Sequence, residues 1–227
     1  MTRALLVVAK EPIPGRVKTR LGGLFSPEIT TEFYHCLLQD TLLLMSQVPN
    51  VTCGIVFTPA ESRPYFEELA PPDFVLHPQR GPDLGDRLLH AFEDFLAQGY
   101  SQIIIMNSDS PTLPASYLEE AFALLDEHDV VFGPSEDGGY YLAGASAAHP
   151  TLFQGIQMST ATVLEETLDR VDAAGLSVSL LPAWFDVDLP ADVARLCAEM
   201  TKNGQTAVHT SRFFRMYAPE GTAGNKR

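Results

Sequence analysis

Residues 4–9, Ala-Leu-Leu-Val-Val-Ala, are an apolar run that leads directly into the cationic segment KEPIPGRVKTR at 10–20. A short continuous apolar run bounded by turn formers reads as a strand covered on both faces, the usual state of a strand in a parallel sheet. Pro12, Pro14 and Gly15 forbid a helix after it and force a turn. The loop holds Lys10, Arg16, Lys18 and Arg20, four of the fifteen Lys and Arg in a chain of formal net charge −14. A rigid cationic loop at the carboxyl end of a first parallel strand is where open α/β sheets bind phosphorylated ligands. Two common phosphate loops are excluded. The P-loop pattern needs glycines where this chain has Val17 and Pro12, and Gly22-Gly23 come too late for a dinucleotide turn. Side chains, more than backbone amides, should therefore hold the phosphates.

The rest of the chain repeats the opening theme. Apolar runs at 51–57, 73–77, 102–106, 129–133 and 177–181 predict strands, and 139–143 predicts one that runs antiparallel. Amphipathic stretches at 27–47, 61–69, 84–97, 115–127, 159–174 and 190–200 predict helices. Ser26-Pro27-Glu28, Leu113-Pro114 and Ser159 or Thr160 supply start signals. Such alternation predicts an α/β fold, an open, mostly parallel twisted sheet with helices on both faces.

Three acidic motifs follow predicted strands. Asn107-Ser108-Asp109-Ser110-Pro111 puts Asp109 at the carboxyl edge of the most apolar strand, facing the crevice of the cationic loop. There it can hold a divalent cation or cap the next helix. Asp186 and Asp188 of FDVDLP lie on one side if that segment is extended. Asp188 is the favoured second cation ligand and Asp186 the lesser candidate, with capping before Pro190 as the alternative. In Glu136-Asp137-Gly138-Gly139-Tyr140-Tyr141, paired glycines permit close backbone approach to a ligand, and Asp-Gly also favours a plain hairpin turn. Asp83-Leu84-Gly85-Asp86-Arg87 opens a helix. Gly85 leaves room for a flat group and Asp86 can accept from a base or ribose, while Asp83 suits an N-cap. The six histidines show no metal spacing and no G-x-S-x-G elbow is present, so a nucleophilic hydrolase has little support.

At 227 residues the chain suits one domain, read as 1–200, with a basic tail at 201–227. The tail carries Lys202, Arg212, Arg215, Lys226 and Arg227 against Glu220; it can pack on the acidic body, bind a partner or be mobile, with mobility the default for a terminus. The acidic balance argues against nucleic acid as a partner. Three scattered cysteines, a first apolar run too short for a secretion signal and no membrane-length stretch predict a cytoplasmic protein. Oligomeric state is not written in these features.

Taken together, AKEPIPGRVKTRL, DLGDR, NSDSP, GPSEDGGYYLAG, MSTATVL and FDVDLPADV resemble, in this order, the nucleotide-diphospho-sugar transferase superfamily and its glycosyltransferase-A type fold. The likeness is closest to a bacterial glycosyltransferase-like family allied to 2-phospholactate guanylyltransferases and molybdenum-cofactor nucleotidyltransferases. It covers residues 3 to about 200. The resemblance implies that Arg16, Lys18 and Arg20 grip the nucleotide phosphates, with Lys10, Pro14, Gly15 and Ser108 completing that site and Gly85 and Asp86 near the base. Asp109 and Asp188 would bind Mg²⁺ or Mn²⁺. Glu136, Asp137, Gly138, Gly139 and Tyr140 would face the acceptor, and Lys18, Asp109 and Asp137 would carry the chemistry. The partners implied are a nucleotide or nucleotide-sugar donor and a small-molecule acceptor. Glycosyl transfer is favoured by the family's label, with nucleotidyl transfer as the alternative. A non-catalytic binder of nucleotides or phosphorylated metabolites is the rival of a different class.

Overall fold

The computed structural model describes residues 1–158, 160–202 and 207–217. One sheet contains seven strands: β1 (Arg3–Lys10), β2 (Thr52–Thr58), β3 (Val75–Pro78), β4 (Gln102–Met106), β5 (Val130–Pro134), β6 (Tyr140–Ala145) and β7 (Val178–Leu180). Their spatial order is β3-β2-β1-β4-β6-β5-β7. Only β6 runs against its neighbours, β4 and β5, and every other pairing is parallel. The expected open, mostly parallel α/β sheet is therefore present, and its antiparallel strand is the one the sequence marks.

Eight helices are present among the described residues: α1 (Pro27–Met45), α2 (Arg63–Leu69), α3 (Leu84–Ala97), α4 (Ala115–Leu124), α5 (Pro150–Phe153), α6 (Val163–Ala173), α7 (Pro190–Lys202) and α8 (Val208–Tyr217). Local chemistry sets several starts. Ser26 Oγ accepts from the Ile29 amide at 3.4 Å with Pro27 in the first turn, and Asp83 Oδ1 accepts from the Asp86 amide at 2.9 Å. The helix expected from 159 begins at Val163 instead, and Ser159 lies outside the described residues.

Strand alternation divides the core. Leu5, Val7, Ile55, Phe57, Ile104 and Met106 pack toward Leu38, Leu42 and Met45 of α1, Phe66 of α2, and Leu118 and Phe122 of α4. Ala4, Leu6, Val56, Ile103 and Ile105 pack the other way, onto Leu88, Phe92 and Phe95 of α3, Phe153 of α5 and Val171 of α6. A third apolar cluster lies beyond the sheet and contains Leu21, Phe25, Phe33, Leu37, Val187, Val193, Leu196 and Phe213.

Phe213 belongs to α8, so residues 208–217 take the packed alternative rather than the default of a mobile tail. Phe213 is fully buried and packs edge-on to Phe25, with ring centroids 5.5 Å apart. Asp40 of α1, 1% exposed, accepts from the His209 and Thr210 amides at 2.9 and 2.7 Å and so caps the helix from outside. Glu220, Lys226 and Arg227 lie outside the described residues.

The topology locates the crevice. From β1 the chain builds outward to β2 and β3, then crosses back so that β4 flanks β1 on its other side. Strand order reverses between β1 and β4, and ligands of open α/β sheets bind outside the carboxyl ends of strands at such a point.

Candidate active site

The cationic loop leaves β1 at Lys10 and turns back on itself, with the Arg16 amide donating to the Ile13 carbonyl at 2.9 Å. Val17 is buried, and Lys18 adopts a left-handed backbone at φ 46°, ψ 39°. A single 3-10 turn follows, and its Leu21 is fully buried in the third cluster. Anchored on both sides, Lys18 turns inward rather than to solvent.

Its ammonium lies between two carboxylates. Lys18 Nζ is 2.8 Å from Asp109 Oδ2 and 2.6 Å from Asp188 Oδ1, and the lysine side chain is 5% exposed. Burial alone would lower the lysine pKa, but the attraction of Asp109 and Asp188 outweighs it and holds the group well above the usual lysine range. Arg20 Nη1 stands 3.7 Å from the other Asp188 oxygen. Neither carboxylate caps a helix: Asp192, inside α7, accepts from the Asp188 and Leu189 amides at 3.1 and 2.7 Å instead.

Asp186 takes a different part from its neighbour. It accepts from Asn107 Nδ2 at 2.7 Å, Ser110 Oγ at 2.8 Å and Ser135 Oγ at 2.6 Å. Burial pushes its carboxyl pKa up against the pull of these bonds. The loop bearing Asp109 is thus held at both ends by one aspartate. The Val187 amide also donates to the Asp109 carbonyl at 3.0 Å, which fixes the spacing of the two acidic segments.

Tyr34, in the middle of α1, joins the loops from below. Its hydroxyl accepts from the Lys10 amide at 3.2 Å and lies 3.1 Å from Ser108 Oγ. Sequence reasoning missed it, since a tyrosine inside an amphipathic helix looks like any other core residue. On the outer side, Glu11 accepts from Ser62 Oγ and tethers the loop to the segment before α2.

The result is an open cleft of about 560 Å³. Of the expected site residues, Lys10, Arg16, Lys18, Arg20, Ser108, Asp109 and Asp188 line it together, joined by Tyr34, Gln79, Leu84 and Arg87. Five cations thus face two carboxylates in a protein whose overall charge is −14. Pro14 and Gly15 shape the loop without lining the cleft.

Two other groups lie elsewhere. Gly85 is buried, and a Cβ there would strike the Phe153 carbonyl oxygen, so its small size serves the packing of α3 on α5. Asp86 gives its amide to the Asp83 cap and accepts from Gln154 Nε2 at 3.2 Å. Residues Glu136–Gly139 lie in the turn between β5 and β6, Tyr140 opens β6, and none of them lines the cleft. Glu136 makes a two-pronged ion pair with Arg195, at 2.5 and 2.8 Å, and the Arg195 guanidinium stacks 4.0 Å from the Phe185 ring centroid. Asp137 Oδ1 accepts from the Gly139 amide at 3.0 Å. Gly138 has φ +92° and so little room that a Cβ would strike the Ala161 carbonyl. Tyr140 packs on Phe132, with its hydroxyl 3.9 Å from Met158 Sδ.

Among the described residues no group of three His, Cys, Asp or Glu side chains converges to hold a metal. Asp109 and Asp188 do converge on one point, the one Lys18 Nζ occupies. Two hard carboxylate oxygens beside an open cationic cleft are a donor set that fits Mg²⁺ or Mn²⁺, ions that take one or two carboxylates and complete their shell with other oxygen ligands and water. Among the described residues no helix is long and apolar enough to cross a membrane.

The family model described as "Uncharacterized protein conserved in bacteria (DUF2064)" matches residues 41–160. A candidate nucleotide-diphospho-sugar transferase from Desulfovibrio desulfuricans G20 is 30% identical, with 96% of this chain and 99% of that one covered and a TM-score of 0.85. CMP:2-keto-3-deoxy-manno-octonic acid synthetase, solved in complex with CTP, is 13% identical over 90% of this chain and all of its own, with a TM-score of 0.59. The 4-diphosphocytidyl-2C-methyl-D-erythritol synthase of Anaerococcus prevotii DSM 20548 is 10% identical over 88% of this chain and 96% of its own, again with a TM-score of 0.59. These last two share the fold alone. With more than half its length under the family model and a full-length relative at 30% identity, the chain belongs to the DUF2064 family and carries the nucleotide-diphospho-sugar transferase fold.

Proposed function

We propose that this protein is a transferase that draws on a nucleotide donor, and that it transfers the nucleotidyl group of a nucleoside triphosphate to an anionic small-molecule acceptor. The observation that carries the reading is the cleft at the β1–β4 switch point, where Lys10, Arg16, Lys18, Arg20 and Arg87 surround a convergent carboxylate pair. The cations suit a polyphosphate, and the carboxylates suit a divalent ion bound with it, Mg²⁺ or Mn²⁺. A pure anion binder has no use for two carboxylates beside its phosphates, which argues against the non-catalytic alternative.

In nucleotidyl transfer an acceptor oxygen bonds to the α-phosphorus, the bond from that phosphorus to the bridging oxygen breaks, and pyrophosphate leaves. When bound, the metal ion would offset negative charge on the phosphates. Lys18, Arg16 and Arg20 would hold the triphosphate in line and stabilise the charge that builds on the leaving group. A phosphate acceptor is already anionic, so no side chain needs to remove a proton.

Glycosyl transfer is the second reading, in line with the description of the Desulfovibrio relative as a nucleotide-diphospho-sugar transferase. A hydroxyl acceptor benefits from a general base. Glu136 and Asp137, the carboxylates that the resemblance sets at the acceptor, stand in the β5–β6 turn, engaged with Arg195 and the Gly139 amide. The geometry therefore supports nucleotidyl transfer better. Cys36, Cys53 and Cys197 are unpaired, in keeping with a reducing cytoplasmic setting.

A thermal-shift panel of ATP, CTP, GTP, UTP and the common nucleotide-sugars, each with and without Mn²⁺, tests this. A ligand at about 100 times its Kd adds roughly 2.7 kcal/mol. A metal-dependent shift with one triphosphate, followed by pyrophosphate release on adding phosphorylated acceptors, is expected. A shift with a nucleotide-sugar and its diphosphate but no triphosphate would move the assignment to glycosyl transfer. Silence across the whole panel would end the nucleotide reading.

A further inference from the structure

The two carboxylates suited to a divalent cation already hold a cation that belongs to the chain. Lys18 Nζ is 2.8 Å from Asp109 Oδ2 and 2.6 Å from Asp188 Oδ1, inside a pocket that leaves 5% of the lysine side chain exposed. The acids are fixed from behind. The Val187 amide bonds the Asp109 carbonyl at 3.0 Å, and Asp192 holds the Asp188 and Leu189 amides at 3.1 and 2.7 Å. The lysine instead sits on the 11–18 loop and reaches the pair with a long, rotatable side chain.

An ammonium and a divalent ion cannot share one point, because like charges about 3 Å apart repel strongly even where water screens them. For a metal ion to reach both carboxylates, Lys18 Nζ must leave them. A charge removed from water needs another anion. In this cleft that anion is the phosphate of the ligand, which would lie against Arg16 and Arg20 on the open side of the same loop.

We propose that Lys18 is the resident occupant of the cation position and makes divalent-cation binding conditional on nucleotide. The ligand's phosphate draws the ammonium off Asp109 and Asp188, and the freed carboxylates then accept the metal. Lys18 thus does two things in sequence: it neutralises the acid pair in the free protein and grips phosphate in the loaded one. Metal binding ahead of nucleotide is weakened to a competition with the ammonium that only high metal concentration wins, and nucleotide and metal affinities are coupled in both directions. This rests on the reading of Asp109 and Asp188 as cation ligands in a nucleotide site.

The test is a Mn²⁺ titration of nucleotide-free protein, with free Mn²⁺ read by electron paramagnetic resonance. Wild type should bind weakly. Lys18→Met should bind Mn²⁺ about tenfold tighter or better, the size of an ordinary coupling factor. Adding Asp188→Asn to Lys18→Met should erase that gain, which ties it to this pair. Equal or weaker binding by Lys18→Met overturns the proposal, as does the absence of Mn²⁺ binding in every variant. Lys18→Gln, which keeps a donor for one carboxylate, is the second variant and should show a smaller gain.

If neither variant folds, wild type decides by amine acetylation read with mass spectrometry. Lys18 should be protected without metal and gain reactivity at millimolar Mn²⁺, and unchanged protection overturns the proposal. The thermal-shift panel distinguishes the two failures. Silence with every nucleotide, both with and without Mn²⁺, would undo the nucleotide reading, while the Mn²⁺ comparison would stand on its own.

Discussion

Asp186 accepts hydrogen bonds from Asn107, Ser110 and Ser135 at once, and so fixes the loop that presents Asp109. Asp186→Ala strands three donors, and two of them, on Ser110 and Ser135, belong to buried residues. A loss of about 2–4 kcal/mol is expected, the range for breaking a buried polar network, read as a fall in the urea midpoint. Asp186→Asn keeps one acceptor and should lose less. Burial raises the Asp186 carboxyl pKa above its unfolded value, so the folded state keeps that proton to higher pH. The folded state therefore binds more protons within the window, and this contribution to stability falls as pH rises from the ordinary aspartate value, about 3.9, through the raised one. Urea midpoints across that window should fall for wild type relative to Asp186→Asn, and parallel curves would contradict the assignment. Lys18, Asp109 and Asp188 were legible in the sequence because each follows an apolar run, and run ends meet at one edge of a parallel sheet. Gly85 was misleading: what fills the space beside it is the carbonyl of Phe153, and no local pattern reveals a contact so remote in the chain.

Strands were the most legible elements, since burial on both faces writes them as unbroken apolar runs, while helix ends depended on single caps. Two element-level contacts carry predictions. Asp94 of α3 bonds His77 Nε2 at 2.7 Å and pairs with Arg80 Nη2 at 2.5 Å, tying the end of β3 to the helix. Desolvation pushes its pKa up, but the bonds from Arg80 and His77 win and leave it below the usual aspartate range. Stability from this contact is present above the unfolded aspartate value and is lost as pH falls through the depressed one. Asp94→Asn should flatten the acid limb of the stability curve, and an unchanged limb would refute the staple. Asp40 supplies the second contact. Asp40→Ala removes the acceptor for the His209 and Thr210 amides, and about 1–2 kcal/mol of docking energy should go with it. Hydrogen exchange should show faster exchange confined to 208–217. The basic charge of this stretch hid its apolar face, although Phe213 and Tyr217 at a four-residue spacing were there to be read.

On the scale of the molecule, the third apolar cluster connects the C-terminal helix to the candidate site. Phe213 packs with Phe33 and Phe25, and the same cluster contains Leu21, three residues after Lys18, and Val187, between Asp186 and Asp188. Both arms of the Lys18–Asp188 pair are therefore backed by side chains that α8 helps to cover. Nothing short of the folded chain reveals this, because the tail lies outside the motif pattern that gave the rest of the fold away. Phe213→Ala should cost about 3–5 kcal/mol, the range for emptying a fully buried phenylalanine site. It should also weaken binding of whichever nucleotide the thermal-shift panel selects, since the cavity opens behind the cationic loop, whose Leu21 lies in the same cluster. Phe66→Ala is the matched control, an equally buried ring in the cluster on the α2 side of the sheet. If α8 supports the site, isothermal titration at a temperature where both variants remain folded will show the larger loss of affinity for Phe213→Ala. Equal losses would mean that α8 stabilises the protein without reaching its cleft.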